Sequence, residues 1–224
     1  MKIIATSDGS NTLFDETLDE TYHSVHGALG ESLHVYINHG LKRLSPQLKS
    51  INILEIGFGT GLNALLSIDH QAPNTKINYY SIEAFPLSEE LLNTYYHGFS
   101  EKPKSLADLP KMIQAQGLQT INEHFNFKLI ESKLQDLNVS KQEFPNFDLV
   151  YYDAFAPSKQ PEMWSLETLR TVANLLAEEA LFVTYCSQGQ FKRNLKELGF
   201  EIACPPGPFG KREITVAKKI KAIV

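Results

Sequence analysis

Three stretches of this chain carry residues whose types and spacing can do chemistry. "LEIGFGTGLNALL", residues 54–66, ends an apolar run with Glu55, sets Gly57, Gly59 and Gly61 around Phe58, and resumes an apolar pattern suited to a helix. Such a turn lets backbone approach a ligand closely and aims helix N–H groups at it. Asn63, in the first helical turn, is placed to add a side-chain contact. Glu83 closes the next apolar run, "KINYYSIE", where an acid can accept hydrogen bonds from both hydroxyls of a ribose. Asp153 closes "FDLVYYD", where a carboxylate can orient an attacking group and stabilise positive charge developing on it.

These features discriminate between cofactors. The G-x-G-x-G spacing lacks the third glycine of a dinucleotide fingerprint, and Leu62 follows Gly61. Glu55 would repel a pyrophosphate, whereas it can receive the ammonium of a methionine moiety, directly or through water. S-adenosylmethionine is therefore expected rather than a hydride carrier, held by Glu55, Gly57, Phe58, Gly59, Gly61, Asn63, Glu83 and Asp153. After the third core strand, "LIESKLQDL" offers Glu131, Ser132 and Asp136 to the adenine end, and Ser132 joins the expected set. Methyl transfer needs an in-line nucleophile, and an amine attacks only through its unprotonated lone pair. Asp153 is accordingly the expected catalytic residue, orienting an amine. In "DAFAPSKQPEMW" the residues Phe155, Pro157 and Trp164 supply the expected substrate side, although Phe155 and Trp164 equally suit anchors of the next helix.

Strands alternating with helices must position these groups. "INILEI", "KINYYSIE", "FNFKLI", "FDLVYY" and "ALFVTYC" read as buried strands, and "SLETLRTVANLLAEE" as the clearest helix. The closing segment reads as helix, strand, Pro/Gly-rich bend and last strand, an antiparallel terminal hairpin at the sheet edge. The expected fold is α/β and Rossmann-like, a mostly parallel sheet with helices on both faces and ligands at the strands' carboxyl ends. Residues 1–50 read as an amino-terminal extension packed on the core. Residues 51–224 form the main domain, with an insertion or lid near 98–126, the whole being one structural unit.

The chain has 224 residues and a formal charge of -5, so a nucleic-acid partner needs a local basic patch. Lys192, Arg193 and Lys196, then Lys211 and Arg212, then Lys218, Lys219 and Lys221 are the candidates. No apolar run approaches the ~20 residues of a membrane span, and the amino terminus lacks a secretory pattern, which places the protein in the cytoplasm. Cys186 and Cys204 follow no metal-ligand spacing and read as core or near-core thiols, and His23 and His26 read as packing residues, so no metal is expected.

"LEIGFGTGLN", "DAFAPSKQPEMW" and "FGKREI" occur in that order, and together they make most of residues 20–217 resemble the methyltransferase part of the bifunctional tRNA wobble-uridine enzymes, the MnmC family. The resemblance implies methyl transfer from S-adenosylmethionine to the exocyclic amine of 5-aminomethyl(-2-thio)uridine in tRNA. It also implies a substrate-facing entrance near Tyr22, Ser24 and Glu31, and phosphate contacts near the anticodon from Lys211 and Arg212. No second glycine-rich βαβ unit is present, so the expectation is a free-standing methyltransferase supplied by a separate oxidase or aminomethyl-forming enzyme. Two alternatives share the pattern: small-molecule amine methyl or aminopropyl transfer, to which the acidic "DETLDE" stretch would contribute, and a catalytically silent RNA-binding module.

Overall fold

The computed structural model describes residues 1–45, 47–137 and 144–220. A small antiparallel sheet comes first, made of β1 (Lys2–Ala5), β2 (Asn11–Asp15) and β3 (Glu20–Thr21). The short helix α1 (Ala28–Ser32) follows and continues directly into a π-helical turn, Leu33–Asn38. The main sheet then begins with β4 (Ser50–Ile56), α2 (Leu62–His70), β5 (Lys76–Glu83) and α3 (Glu89–His97). After α4 (Leu109–Ile113) come β6 (Gln119–Asn122), β7 (Phe125–Glu131) and β8 (Phe147–Tyr152). The chain closes with α5 (Leu166–Asn174), β9 (Leu176–Thr184), α6 (Gly189–Glu197), β10 (Phe200–Ala203) and β11 (Thr215–Lys219).

The eight main strands run in the order β10-β11-β9-β8-β4-β5-β7-β6. The five central strands pair in parallel, while β6, β11 and β10 pair antiparallel at the two edges. This is the expected mostly parallel sheet with its terminal hairpin. Side chains alternate between two cores as a pleated strand requires. Ile53, Tyr79 and Tyr151 pack toward Leu62, Tyr95 and Leu109, whereas Leu54, Tyr80 and Tyr152 share the other core with Leu169 and Phe191. Helices thus cover both faces, and the carboxyl ends of β4, β5, β7 and β8 meet on one side.

Four local expectations are corrected, the last being that Cys204 is a core or near-core thiol. The helix read as "SLETLRTVANLLAEE" stops at Asn174, and Leu176–Thr184 is strand. Lys219, read as part of a basic tail, is buried and its Nζ donates to the carbonyls of Ala173 and Leu176 at 2.8 and 2.7 Å, capping that helix end. Residues 98–126 supply none of the cavity walls: Lys104 and Ser105 N–H groups bond Asp69 on α2, and β6 extends the sheet edge. Cys204 is exposed, whereas Cys186 is buried. No described helix is long and apolar enough to cross a membrane.

Candidate active site

A cleft of about 1020 Å³ opens over the carboxyl ends of the central strands. Its floor is the turn after β4. Gly57, Gly59 and Gly61 have φ of 91°, 50° and 77°, a left-handed region that side chains rarely adopt. A Cβ on Gly57 would lie 2.7 Å from the backbone oxygen of Asp153, so glycine there lets two strand ends touch. Gly59 donates its N–H to Glu83 Oε2 at 3.0 Å, and Phe85 N–H reaches Glu83 Oε1 at 2.9 Å. A carboxylate has about four acceptor sites, so Glu83 retains capacity for a diol.

Asp153 stands at the carboxyl end of β8 and faces the cleft. Tyr36 Oη donates to its Oδ1 at 2.6 Å, and Asn63 Nδ2 donates to its Oδ2 at 2.9 Å. Desolvation pushes the Asp153 carboxyl up to about 7; the Tyr36 and Asn63 bonds oppose the rise, Glu31 adds to it and Lys211 offsets it. Tyr36 comes from the π-helical turn and Asn63 from α2, so two separate elements hold one carboxylate.

The amino-terminal segment builds one wall. Tyr22, His23, Ser24 and Glu31 line the cleft, and Tyr22 meets Phe155 edge-to-face at 5.0 Å. Glu31 is buried; it accepts Ser24 N–H at 2.8 Å and pairs with Lys211, whose Nζ also lies 5.7 Å from the Tyr185 ring centroid. Tyr185 donates to Ala154 O at 2.8 Å, fixing the loop after Asp153. On the opposite side, Phe58, Ile82, Phe85, Ser132, Leu134 and Asp136 form a mixed wall. Phe85 is 70 % exposed, and a large aromatic left bare within a cleft marks a surface that a ligand covers. Turn, diol-accepting acid and bare aromatic fit an adenosyl group.

The cleft therefore brings together Gly57, Phe58, Gly59, Asn63, Glu83, Ser132, Asp153, Phe155 and Lys211 from the expected set. It leaves out five others. Glu55 is fully buried beneath the turn and does not reach the cleft. Gly61 serves packing, since a Cβ there would meet Phe58 and Leu109 at 2.8 and 2.9 Å. Trp164 is an anchor and not a wall: it is buried against Tyr152 and Phe191, and its Nε1 donates to Phe155 O at 2.8 Å. Pro157 lies outside the lining, and Arg212 is exposed beyond it. Glu131 also stays outside the lining.

Of the expected basic patch, Arg193, Lys196 and Arg212 are exposed, while several of its lysines are engaged in ion pairs. Lys192 pairs with Glu213 at 2.6 Å, Lys218 pairs with Glu179, Lys211 pairs with Glu31, and Lys221 lies outside the described residues. Tyr36, Tyr185 and Phe85 are site residues that sequence reasoning missed. Tyr185 directly follows β9 and was findable from the strand-end rule. Tyr36 had no signal, because a π-helical turn leaves no mark in the apolar pattern.

Comparison with known proteins adds a second line. A family model described as S-adenosyl-L-methionine-dependent methyltransferase matches residues 98–220. The chain is 33 % identical over 215 residues to the tRNA 5-methylaminomethyl-2-thiouridine biosynthesis bifunctional protein MnmC of Cupriavidus necator, covering 89 % of this chain and 32 % of that protein. It is 32 % identical over 232 residues to the protein of the same name from Idiomarina loihiensis, covering 93 % and 37 %. The chain thus spans about a third of the length of the curated relatives it matches. The crystal structure of MNMC2 from Aquifex aeolicus matches with a TM-score of 0.81 at 28 % identity, covering 99 % of this chain and 70 % of that one.

Proposed function

This chain belongs to the S-adenosyl-L-methionine-dependent methyltransferases, and we propose that it methylates the exocyclic amine of 5-aminomethyl(-2-thio)uridine at the wobble position of tRNA. The product, 5-methylaminomethyl(-2-thio)uridine, is the nucleoside that the names of the MnmC relatives contain. The observation that carries the reading is Asp153, held by Tyr36 and Asn63 at the edge of the cleft with its carboxyl pushed up to about 7.

S-adenosylmethionine, when bound, supplies an electrophilic sulfonium methyl. Gly57, Phe58, Gly59, Glu83 and Ser132 would hold it, with Phe85 over the apolar end. Asp153 then does the work of charge and aim. Each of its oxygens holds one donor, which leaves a lone pair on each for an incoming ammonium. A carboxyl titrating near neutrality can take the ammonium proton, free the nitrogen lone pair, pass that proton on to solvent, and stand ionised beside the positive charge that returns to nitrogen on methylation. Tyr22, Phe155 and Tyr185 offer aromatic surface to a base turned out of its stack. Arg212, exposed on the bend beside Lys211, is the cation we assign to tRNA phosphate.

The test is incubation with S-adenosylmethionine and tRNA carrying unmethylated aminomethyluridine, followed by mass analysis of the nucleosides. One added methyl group on the wobble nucleoside supports the reading. Transfer to a polyamine but not to tRNA would overturn it in favour of small-molecule chemistry, for which the cleft-lining Asp15 and Glu20 would be the cation-holding acids.

A further inference from the structure

Glu55 is a buried acid that the proposed chemistry leaves unused. It lies near the end of β4, is 0 % exposed, and receives Ser81 Oγ on its Oε2 at 2.8 Å. Its Oε1 has no partner among the described residues. Asn63 Oδ1 and Tyr79 Oη are also buried without a partner among the described residues, and both side chains face the Glu55 carboxyl. The orientation of the Asn63 amide is set from its other end, because only its NH2 group can donate to the Asp153 carboxylate. Its oxygen is therefore left to Glu55. Two acceptor oxygens cannot satisfy each other, and one proton between them satisfies both.

We infer that Glu55 is held as a carboxylic acid that donates to Asn63 Oδ1, which makes it a positioning residue for Asp153 and not an ionic ligand of the cofactor. With both ends of its amide engaged, Asn63 cannot turn its NH2 group away from Asp153. Tyr79 can then donate to a remaining Glu55 lone pair. The groups facing Glu55 are Ser81 and Tyr79 on β5, Tyr151 on β8, Tyr96 on α3, Asn63 on α2 and Asp153, and none of these is cationic. Burial holds the Glu55 carboxyl well above the usual carboxylate range, the Asp153 charge adds to the rise, and the Ser81 bond opposes it.

The inference rests on the role proposed for Asp153, and its test needs no turnover. The Asp153 carboxyl is titrated by carboxyl-carbon NMR in the whole chain, as wild type, Glu55→Gln and Glu55→Leu, alongside melting temperature against pH. Glutamine also donates to Asn63 Oδ1, so it should retain the wild-type Asp153 midpoint. Leucine cannot, and loss of the Asn63 bond should raise that midpoint by on the order of one unit. The sign for stability is also fixed. Above pH 4.5 the unfolded Glu55 ionises while the folded one keeps its proton, so its contribution is lost as pH rises. Glu55→Gln should therefore melt higher than wild type toward neutral pH, with the difference closing in acid. A lowered Asp153 midpoint in Glu55→Gln, or S-adenosylmethionine binding weakened about tenfold in it, would mean an ionised Glu55 and overturn the inference. If Glu55→Leu does not fold, Glu55→Gln decides alone. Failure of the functional reading shows separately, as wild-type enzyme that leaves tRNA unmethylated.

Discussion

The Tyr36 hydroxyl donates to Asp153 Oδ1 at 2.6 Å, joining the amino-terminal segment to a strand end 117 residues further along the chain. That bond favours the ionised carboxyl and opposes the desolvation that raises it. Tyr36→Phe should move the acid limb of the pH–rate profile upward from about 7, by on the order of one unit. The rate at neutral pH should fall several-fold, whereas S-adenosylmethionine affinity should hold. An unmoved limb would show that Tyr36 does not bear on the working carboxylate.

Gly57 and Gly59 should respond differently to substitution. A methyl group on Gly57 would press on the Asp153 backbone, whereas one on Gly59 would meet the Tyr22 ring at 3.2 Å. Gly57→Ala should damage both cofactor affinity and kcat, since it shifts the strand end that carries the carboxylate. Gly59→Val should lower cofactor affinity while the fold persists, because a β-branched side chain strains a φ of 50° and fills the cleft floor. Calorimetric titration with S-adenosylmethionine, with single-turnover rates, separates the two.

Legibility in the sequence followed the range of the forces involved. The parallel sheet was legible because each central strand is largely buried on both faces, which favours dense β-branched and aromatic runs broken by few polar residues. The end of α5 was not, because the lysine that caps it stands 46 residues past Ala173. The glycine turn, Glu83 and Asp153 lie where the strand-end rule puts ligand contacts, and the structure gathers them in one cleft. Glu55 was read one layer too shallow: it shares its pleat face with Asp153 but pairs across the sheet with Ser81 and Tyr151, below the strand ends, and an apolar run does not tell which residue clears the sheet. Trp164 was ambiguous in sequence, since an indole can wall a site or brace a loop, and only its bond to Phe155 O separates the two.

Lys211 and Arg212, adjacent in sequence, should differ in what they hold. Lys211→Ala leaves the buried Glu31 without its cation, so melting temperature and cofactor-saturated turnover should both drop. Arg212→Ala should leave stability unchanged, weaken tRNA binding, and reduce its salt dependence by roughly one unit of slope. Binding measured at several salt concentrations checks the assignment, and an unchanged slope would move the RNA contact elsewhere.

His23 should set an acid limit on stability. Burial lowers its pKa from 6.5 to about 4, against the opposing pull of Glu31 and Asp8, and its Nδ1 has no partner among the described residues. Between those values the unfolded chain binds a proton that the folded chain refuses, so stability is lost as pH falls through this window, by up to about 3 kcal/mol. His23→Leu should flatten the melting temperature over that range. An equally steep decline in the variant would place the acid sensitivity in other groups.

The most direct measurement uses S-adenosylmethionine with an isotope-labelled methyl group, offered with aminomethyluridine-bearing tRNA to wild type and Asp153→Asn at pH 7, and locates the label by nucleoside mass analysis. The expected result is label on the exocyclic nitrogen of the wobble uridine, formed at least ~100-fold more slowly by the asparagine variant, which keeps the size of the side chain but loses its charge. Label on a ring atom, a ribose or another nucleoside, or undiminished transfer by Asp153→Asn, would contradict an amine methyltransferase built around this carboxylate.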